Sequence, residues 1–346
     1  MSPLLSVSQD FFGLDIGSSA IRLVQLRGNG ASKSLVKYSY VPIDGKIALS
    51  DSPADQAKVA SIIQQLVSKT VLNTKNVAVG IPSSKVFTVI ADVDRLPPKE
   101  LAASIKLQAD SLIPTPIDES KIDWAVIGDS PVDKNKQEII LTSVPNKYVE
   151  DRLDMLESIG LNVVAFEPDN LAIARALAPK DDAGHLIIDI GRRSADLVIV
   201  KSGVPHLTRS IPIGVETIIK SAMDNLNVDA KQAEQFVFKF GMAKTKLEGQ
   251  VVNAIIQTVD GLCTEIDKSI KFYQTRYAGE KVNNIIVTGG ASVVPELPLY
   301  LANKFGMNIE IGNSWRNVAY SQSRQNELIA LSNQFPVAVG LAERVV

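Results

Sequence analysis

Residues 15–24 read DIGSSAIRLV, and residues 189–198 read DIGRRSADLV. Both fit Asp-Ile-Gly, five free positions and Leu-Val, and both join one apolar run to another. A pattern repeated in matching strand–turn–strand context predicts two related half-domains, each opened by a β-hairpin. The glycine lets each turn close sharply, so that successive N–H groups face one concavity and can cradle phosphate oxygens. Ser18 and Ser19 add small donors, whereas Asp15 and Asp189 would face phosphate only through a magnesium ion and its waters. Two such hairpins would clamp the phosphates of one nucleotide between the half-domains. The plainer alternative is a pair of ordinary turns in which Asp and Gly serve turn geometry.

A third glycine site follows. Asn284 to Pro295 reads NIIVTGGASVVP, an apolar strand running into Gly289-Gly290 and then a helix. Glycines at such a junction let a flat base or ribose approach the backbone closely.

Elsewhere strand-like runs alternate with helical ones, which predicts an α/β fold. Strands are expected at Phe11–Ile16, Ile21–Arg27, Val77–Ile81, Lys85–Val93, Ile122–Gly128 and Glu138–Val144. Further ones are expected at Val163–Phe166, His185–Ile190, Asp196–Lys201, Val204–Ile211 and Asn284–Thr288. Many are apolar on both faces, as strands covered on each side should be. Helical spacing marks Pro97–Leu112, stopped by Pro114, and a helix from Asn146 with Gly160 where a C-cap belongs. The longest helix carries Val252, Ile255, Val259, Leu262, Ile266, Ile270 and Tyr273 on one face.

Lys+Arg 36 against Asp+Glu 38 leaves a net charge of −2, and no basic stripe suits a nucleic acid as main ligand. One cysteine, Cys263, excludes an intrachain disulfide, and with two histidines it leaves too few soft ligands for zinc. Met1 to Gln9 lacks the basic start and apolar core of a secretory signal. No uncharged apolar run reaches the about 18 residues of a membrane span. Cys263 reads as an inert core thiol, and His185 and His206 as packed or edge histidines. Phe236, Phe238 and Phe240 read as alternating packing residues. No Ser-His-Asp or Cys-His arrangement can be assembled.

FGLDIGSSAIRLVQL, HLIIDIGRRSADLVIV and NNIIVTGGASVVPEL resemble the first phosphate, second phosphate and adenosine motifs of the actin-like ATPase superfamily. FEPDNLAIARAL at 166–177 and VAVGLAERVV at the end are similar to its two connecting helices. Within the superfamily, LPPKELAASIKLQADSLIPTPIDESKIDWAVIG at 96–128 and IILTSVPNKYVEDRLDMLESIGL at 139–161 resemble the PilM family of type IV pilus assembly. A further resemblance is to the FtsA family of cell division.

The resemblance implies an actin-like two-lobed fold with RNase H-like mixed sheets and an inserted small α+β subdomain of the FtsA and PilM type. It implies a first lobe core at 1–84, completed by 162–182 and 327–346, with the insertion at 85–161. The second lobe core would take 183–226, completed by 283–326, with a helical upper subdomain at 227–282.

Carried over residue by residue, it implies nucleotide contacts from Asp15, Gly17, Ser18, Ser19, Asp189, Gly191, Arg192, Arg193 and Ser194. Gly289 and Gly290 fall in the adenosine loop, and Glu234 falls where relatives have the Glu of an A-E-x-x-K signature. Glu167 falls where chaperone-type relatives keep a carboxylate that orders magnesium waters. ATP and Mg²⁺ are the implied cofactors, the metal being reached from Asp15 and Asp189 through water. Two departures stand out. Arg192 and Arg193 replace small residues, and they either pair with phosphate or point to solvent. Val237 occupies the signature lysine's place. Nucleotide binding with weak or absent hydrolysis is therefore the expectation.

The implied function is a cytoplasmic ATP-binding scaffold, peripheral at the inner membrane through its partner. That partner would be the N-terminal cytoplasmic tail of a PilN-like bitopic protein, with the pilus motor ATPase and a second copy of the chain as further candidates. Neither nucleic acid nor direct membrane insertion is expected. The rival readings are an FtsA-like filament former, which would want an amphipathic terminal helix, and a small-molecule kinase, which would want a carboxylate base at a substrate pocket.

Overall fold

The structure, a computed structural model, describes residues 10–28 and 33–345. The expectation of no secretory start falls on Met1–Gln9, and Val346 closes the terminal motif; both lie outside the described residues. Among those residues no helix is long and apolar enough to cross a membrane.

The strands run β1 (Phe12–Ile16), β2 (Ala20–Arg27), β3 (Lys33–Pro42), β4 (Asn76–Ile81), β5 (Phe87–Asp94), β6 (Ser120–Asp129) and β7 (Lys136–Pro145). They continue β8 (Asn162–Pro168), β9 (Gly184–Ile190), β10 (Ala195–Lys201), β11 (Val204–Ile211), β12 (Val282–Thr288), β13 (Asn308–Ile311) and β14 (Val318–Ala319). They form three sheets ordered β14-β3-β2-β1-β4-β8, β11-β10-β9-β12-β13 and β5-β7-β6. The first two share one plan. On one side of the leading strand lies an antiparallel succession (β1-β2-β3 or β9-β10-β11), and on the other parallel strands pair in turn. The short repeat in the sequence is thus the visible part of a repeated mixed sheet.

The chain divides into a first unit of Met1–Pro82, Lys147–Ala176 and Asn313–Val346, and a second of Ser83–Asn146 and Leu177–Gly312. In the first unit, Phe12, Leu14, Ile21 and Leu23 of the hairpin pack with Val59, Ile63 and Leu66 of the helix Pro53–Thr70. That helix was not among the sequence expectations, although the Ser52 side chain caps it and Pro53 opens it. β3 and β13 were also missed. β3 is half-buried without clean alternation, and β13 has only four residues.

The second unit is built around the helix Gln250–Arg276, whose Ile255, Val259, Leu262 and Ile266 meet Leu186, Ile188 and Leu197 of β9 and β10. The same unit holds the three-stranded sheet, where Leu101 and Ile105 of the helix Pro98–Leu112 cover Ile139 and Leu141.

Three expected boundaries move, one of them because 177–182, expected in the first lobe, go with the second unit. The insertion was expected to reach 161, but the helix Asn146–Ser158 buries Met155 and Leu156 in the core of the first unit, so the break falls near 146. Residues 313–326 were expected in the second lobe. They go instead with the first unit, where β14 pairs with β3 and Trp315 stacks near Tyr38 and Phe335. The segment at 230–240 is a helix, so the three phenylalanines do not alternate. Phe236 and Phe240, four apart, lie 6.0 Å apart against the core, while Phe238 faces outward.

Candidate functional site

The two hairpin turns are built alike. The N–H of Gly17 donates to the carbonyl of Ala20 at 3.1 Å, and that of Gly191 donates to the carbonyl of Ser194 at 2.9 Å. Each turn then backs onto a glycine at the start of a helix. A β-carbon on Gly45 would lie 2.6 Å from the Ser18 carbonyl oxygen, and one on Gly214 would lie 2.6 Å from that of Arg192. The carbonyls of Gly191 and Arg192 accept the first helical N–H groups, from Val215 at 3.0 Å and Glu216 at 2.8 Å. Helix-start donors that would otherwise be unpaired thereby hold the second turn in place.

The copies differ in what faces the aspartate. Opposed residues of antiparallel strands share a face. In the first unit Asp15 stands opposite Arg22, and the guanidinium reaches its carboxylate at 3.2 Å. Burial pushes the Asp15 carboxyl up from its ordinary range, and Arg22 pulls it back. In the second unit Asp189 stands opposite Asp196. Burial pushes Asp196 up as well, opposed by the Ser210 hydroxyl beside it. Arg22 escaped the sequence reading, although it was legible as the one position of the repeat where a cation in one copy answers a carboxylate in the other.

Gly289 follows β12 with φ +82, and a β-carbon there would come within 2.1 Å of Asp189 Oδ1. No side chain fits, so the glycine junction and the second turn are in contact. Gly290 is exposed, and nothing lies within 4 Å of where its β-carbon would be. Of the first turn, Ser18 is half-buried and Ser19 exposed.

The arginines of the second turn face carboxylates rather than open solvent. Arg192 lies 3.7 Å from Glu234, and Arg193 lies 3.6 Å from Glu216, all four side chains about half exposed. Glu234 is therefore part of this cluster, but as the partner of Arg192. Val237 is fully buried in the core of the second unit, which explains why no lysine occupies that place.

Glu167 is placed otherwise than expected. It is 3% exposed at the end of β8, and Arg175 and Arg344 take both its carboxylate oxygens, the latter at 2.7 Å. The carboxylate ties β8 to the end of the helix Pro336–Glu343, so its charge is answered by two guanidiniums. Among the described residues no group of three or more His, Cys, Asp or Glu could hold a metal. Of the three carboxylates implied around magnesium, Asp15 and Glu167 are paired to guanidiniums, which suits a magnesium shell poorly, while Asp189 stands opposite Asp196.

The remaining candidates take structural places. Cys263 is buried and its thiol is pushed up to about 11 by burial, which makes it inert. His185 is buried between Asn284 and Asp181, and His206 meets the Tyr277 ring edge-on.

The family model for the type IV pilus assembly protein PilM matches residues 13–346. The chain belongs to the PilM family. It is similar to a solved PilM-PilN type IV pilus biogenesis complex, with a TM-score of 0.83 and 24% identity over 97% of this chain and 98% of that one. The ethanolamine utilization protein EutJ from Carboxydothermus hydrogenoformans matches with a TM-score of 0.57 and 14% identity, covering 96% and 88%. MreB5 of Spiroplasma citri bound to ADP matches with a TM-score of 0.56 and 14% identity, covering 96% and 95%. The fold of this chain is accordingly that of the actin-like ATPases.

Proposed function

We propose that this PilM-family chain is a nucleotide-binding scaffold of type IV pilus assembly that captures the cytoplasmic tail of a PilN-like membrane protein, at the membrane only through that partner. The observation that carries the nucleotide part is the pair of like-built turns, with the second in contact with the Gly289 junction. The structural neighbour bound to ADP supports it. Calorimetric titration with ATP is expected to give saturable binding. In magnesium buffer Asp189→Ala, which removes the carboxylate that holds the Gly289 junction in place, is expected to weaken it about tenfold, or about 1.4 kcal/mol. Unchanged affinity in the variant would refute the assignment.

The partner part is supported by the PilM-PilN complex among the structural neighbours and by a surface groove of about 590 Å³ in the second unit. Ala103, Lys106, Leu107, Asp110, Pro116 and Ile117 line it, and Leu107 is 84% exposed. An apolar side chain that open to water stands to gain by being covered. A synthetic PilN tail peptide is expected to bind saturably, and Leu107→Asp to cut its affinity about tenfold by putting a charge on the apolar contact. A flat titration with the wild-type chain, with and without ATP, would count against the partner assignment.

A further inference from the structure

Two of the three carboxylates implied around magnesium are spent on protein cations, and the third, Asp189, stands opposite Asp196. Asp15 is held by Arg22, and Glu167 by Arg175 and Arg344. At the second turn, where the superfamily resemblance leads one to expect small residues, this chain carries two guanidiniums. Their present partners are loose: 3.7 Å from Arg192 to Glu234 and 3.6 Å from Arg193 to Glu216, with every side chain between 41% and 52% exposed. Half-exposed pairs at such separations are weak. A phosphate group offers a guanidinium two parallel hydrogen bonds and a higher charge than a carboxylate, so it competes well for either arginine.

We propose that Arg192 and Arg193 supply the positive charge that a divalent cation would otherwise bring to the phosphates, so that this chain binds a nucleoside polyphosphate without an obligatory divalent cation. The proposal rests on the nucleotide reading above. Glu234 and Glu216 keep the guanidiniums at the turn until phosphate oxygens replace them. Neither arginine contributes to the apolar core, so both can be exchanged without disturbing it.

The test is titration of the full chain with ATP in magnesium buffer and in EDTA at matched ionic strength. The wild-type dissociation constant is expected to differ less than about threefold between the two buffers, whereas the Arg192→Ala/Arg193→Ala double variant weakens about tenfold in EDTA and largely recovers in magnesium. An unchanged nucleotide-free melting temperature in the double variant would confirm that the loss is local. Wild-type affinity that collapses in EDTA would overturn the proposal while leaving the nucleotide reading intact. So would a double variant unaffected in EDTA, or weakened equally in both buffers. No binding by the wild type in either buffer would overturn the nucleotide reading and this proposal with it.

Discussion

Replacing Glu138 by alanine is expected to destabilise the protein by about 3–5 kcal/mol, because it strands a guanidinium in a buried network. Glu138 is 1% exposed on β7. Its Oε1 accepts from Arg276 Nε at 2.9 Å and from Arg276 Nη2 at 2.6 Å, and the Tyr277 hydroxyl donates to both its oxygens at 2.9 and 3.0 Å. Arg276 also reaches Asp92 on β5 at 2.9 Å. Burial works against the Arg276 charge, but its bonds to Glu138, Tyr277 and Asp92 outweigh that and push its pKa up. The Tyr277 hydroxyl is pushed up first by burial and then by the Glu138 charge.

These bonds tie two strands of the inserted sheet to the end of the helix Gln250–Arg276 within the second unit. The alanine variant leaves Arg276 with Asp92 and the Tyr277 side chain, and the Tyr277 hydroxyl without its carboxylate acceptor. Urea denaturation reads the loss, and a cost below about 1 kcal/mol would show that the network is superfluous. A Glu138→Met/Arg276→Met/Asp92→Leu triple variant is expected to recover much of the stability, since removing all three charges removes the desolvation cost as well.

The second large effect is expected at Gly340→Ala. A β-carbon there would sit 1.9 Å from the carbonyl oxygen of Ala172 and 2.5 Å from its carbonyl carbon. The obstacle is backbone, which cannot rotate away as a side chain could. The helix Pro336–Glu343 must then lift from the helix Asp169–Leu177, stretching the 2.7 Å bonds from Arg175 to the Gly340 carbonyl and from Arg344 to Glu167. Alanine's better helix propensity returns about 1 kcal/mol, while overpacking against backbone at this separation falls at the upper end of its range, about 3 kcal/mol. A net loss of about 2 kcal/mol in urea denaturation is therefore expected, with Gly128→Ala as control because nothing lies within 4 Å of its β-carbon position. A neutral Gly340→Ala would mean that the two helices are not pressed together there.

The local parts of the candidate site were readable because each is a run of adjacent residues. Asp15-Ile16-Gly17 and Asp189-Ile190-Gly191 announce their turns through strand patterning on either side and a glycine at the bend. Gly289-Gly290 does so through its strand. What could not be read was who answers each charge. Nothing near Glu167 in sequence indicates that Arg344 will reach it, and nothing near Arg192 indicates Glu234. The boundary near 146 was equally hidden, because the helix beginning there has one apolar face and the order of elements does not say which core receives it.

Taken alone, the sequence determined the repeated hairpin, the glycines that close it and the α/β alternation, since each depends on backbone freedom and apolar periodicity over a few neighbouring residues. Only the tertiary structure decided that Asp15 and Glu167 are neutralised by arginines, that the arginines of the second turn face carboxylates, and that Glu138 anchors the inserted sheet. Those outcomes depend on charges far apart in the chain that become neighbours only once the sheets and helices have packed, and burial then sets how strongly each pair must be satisfied.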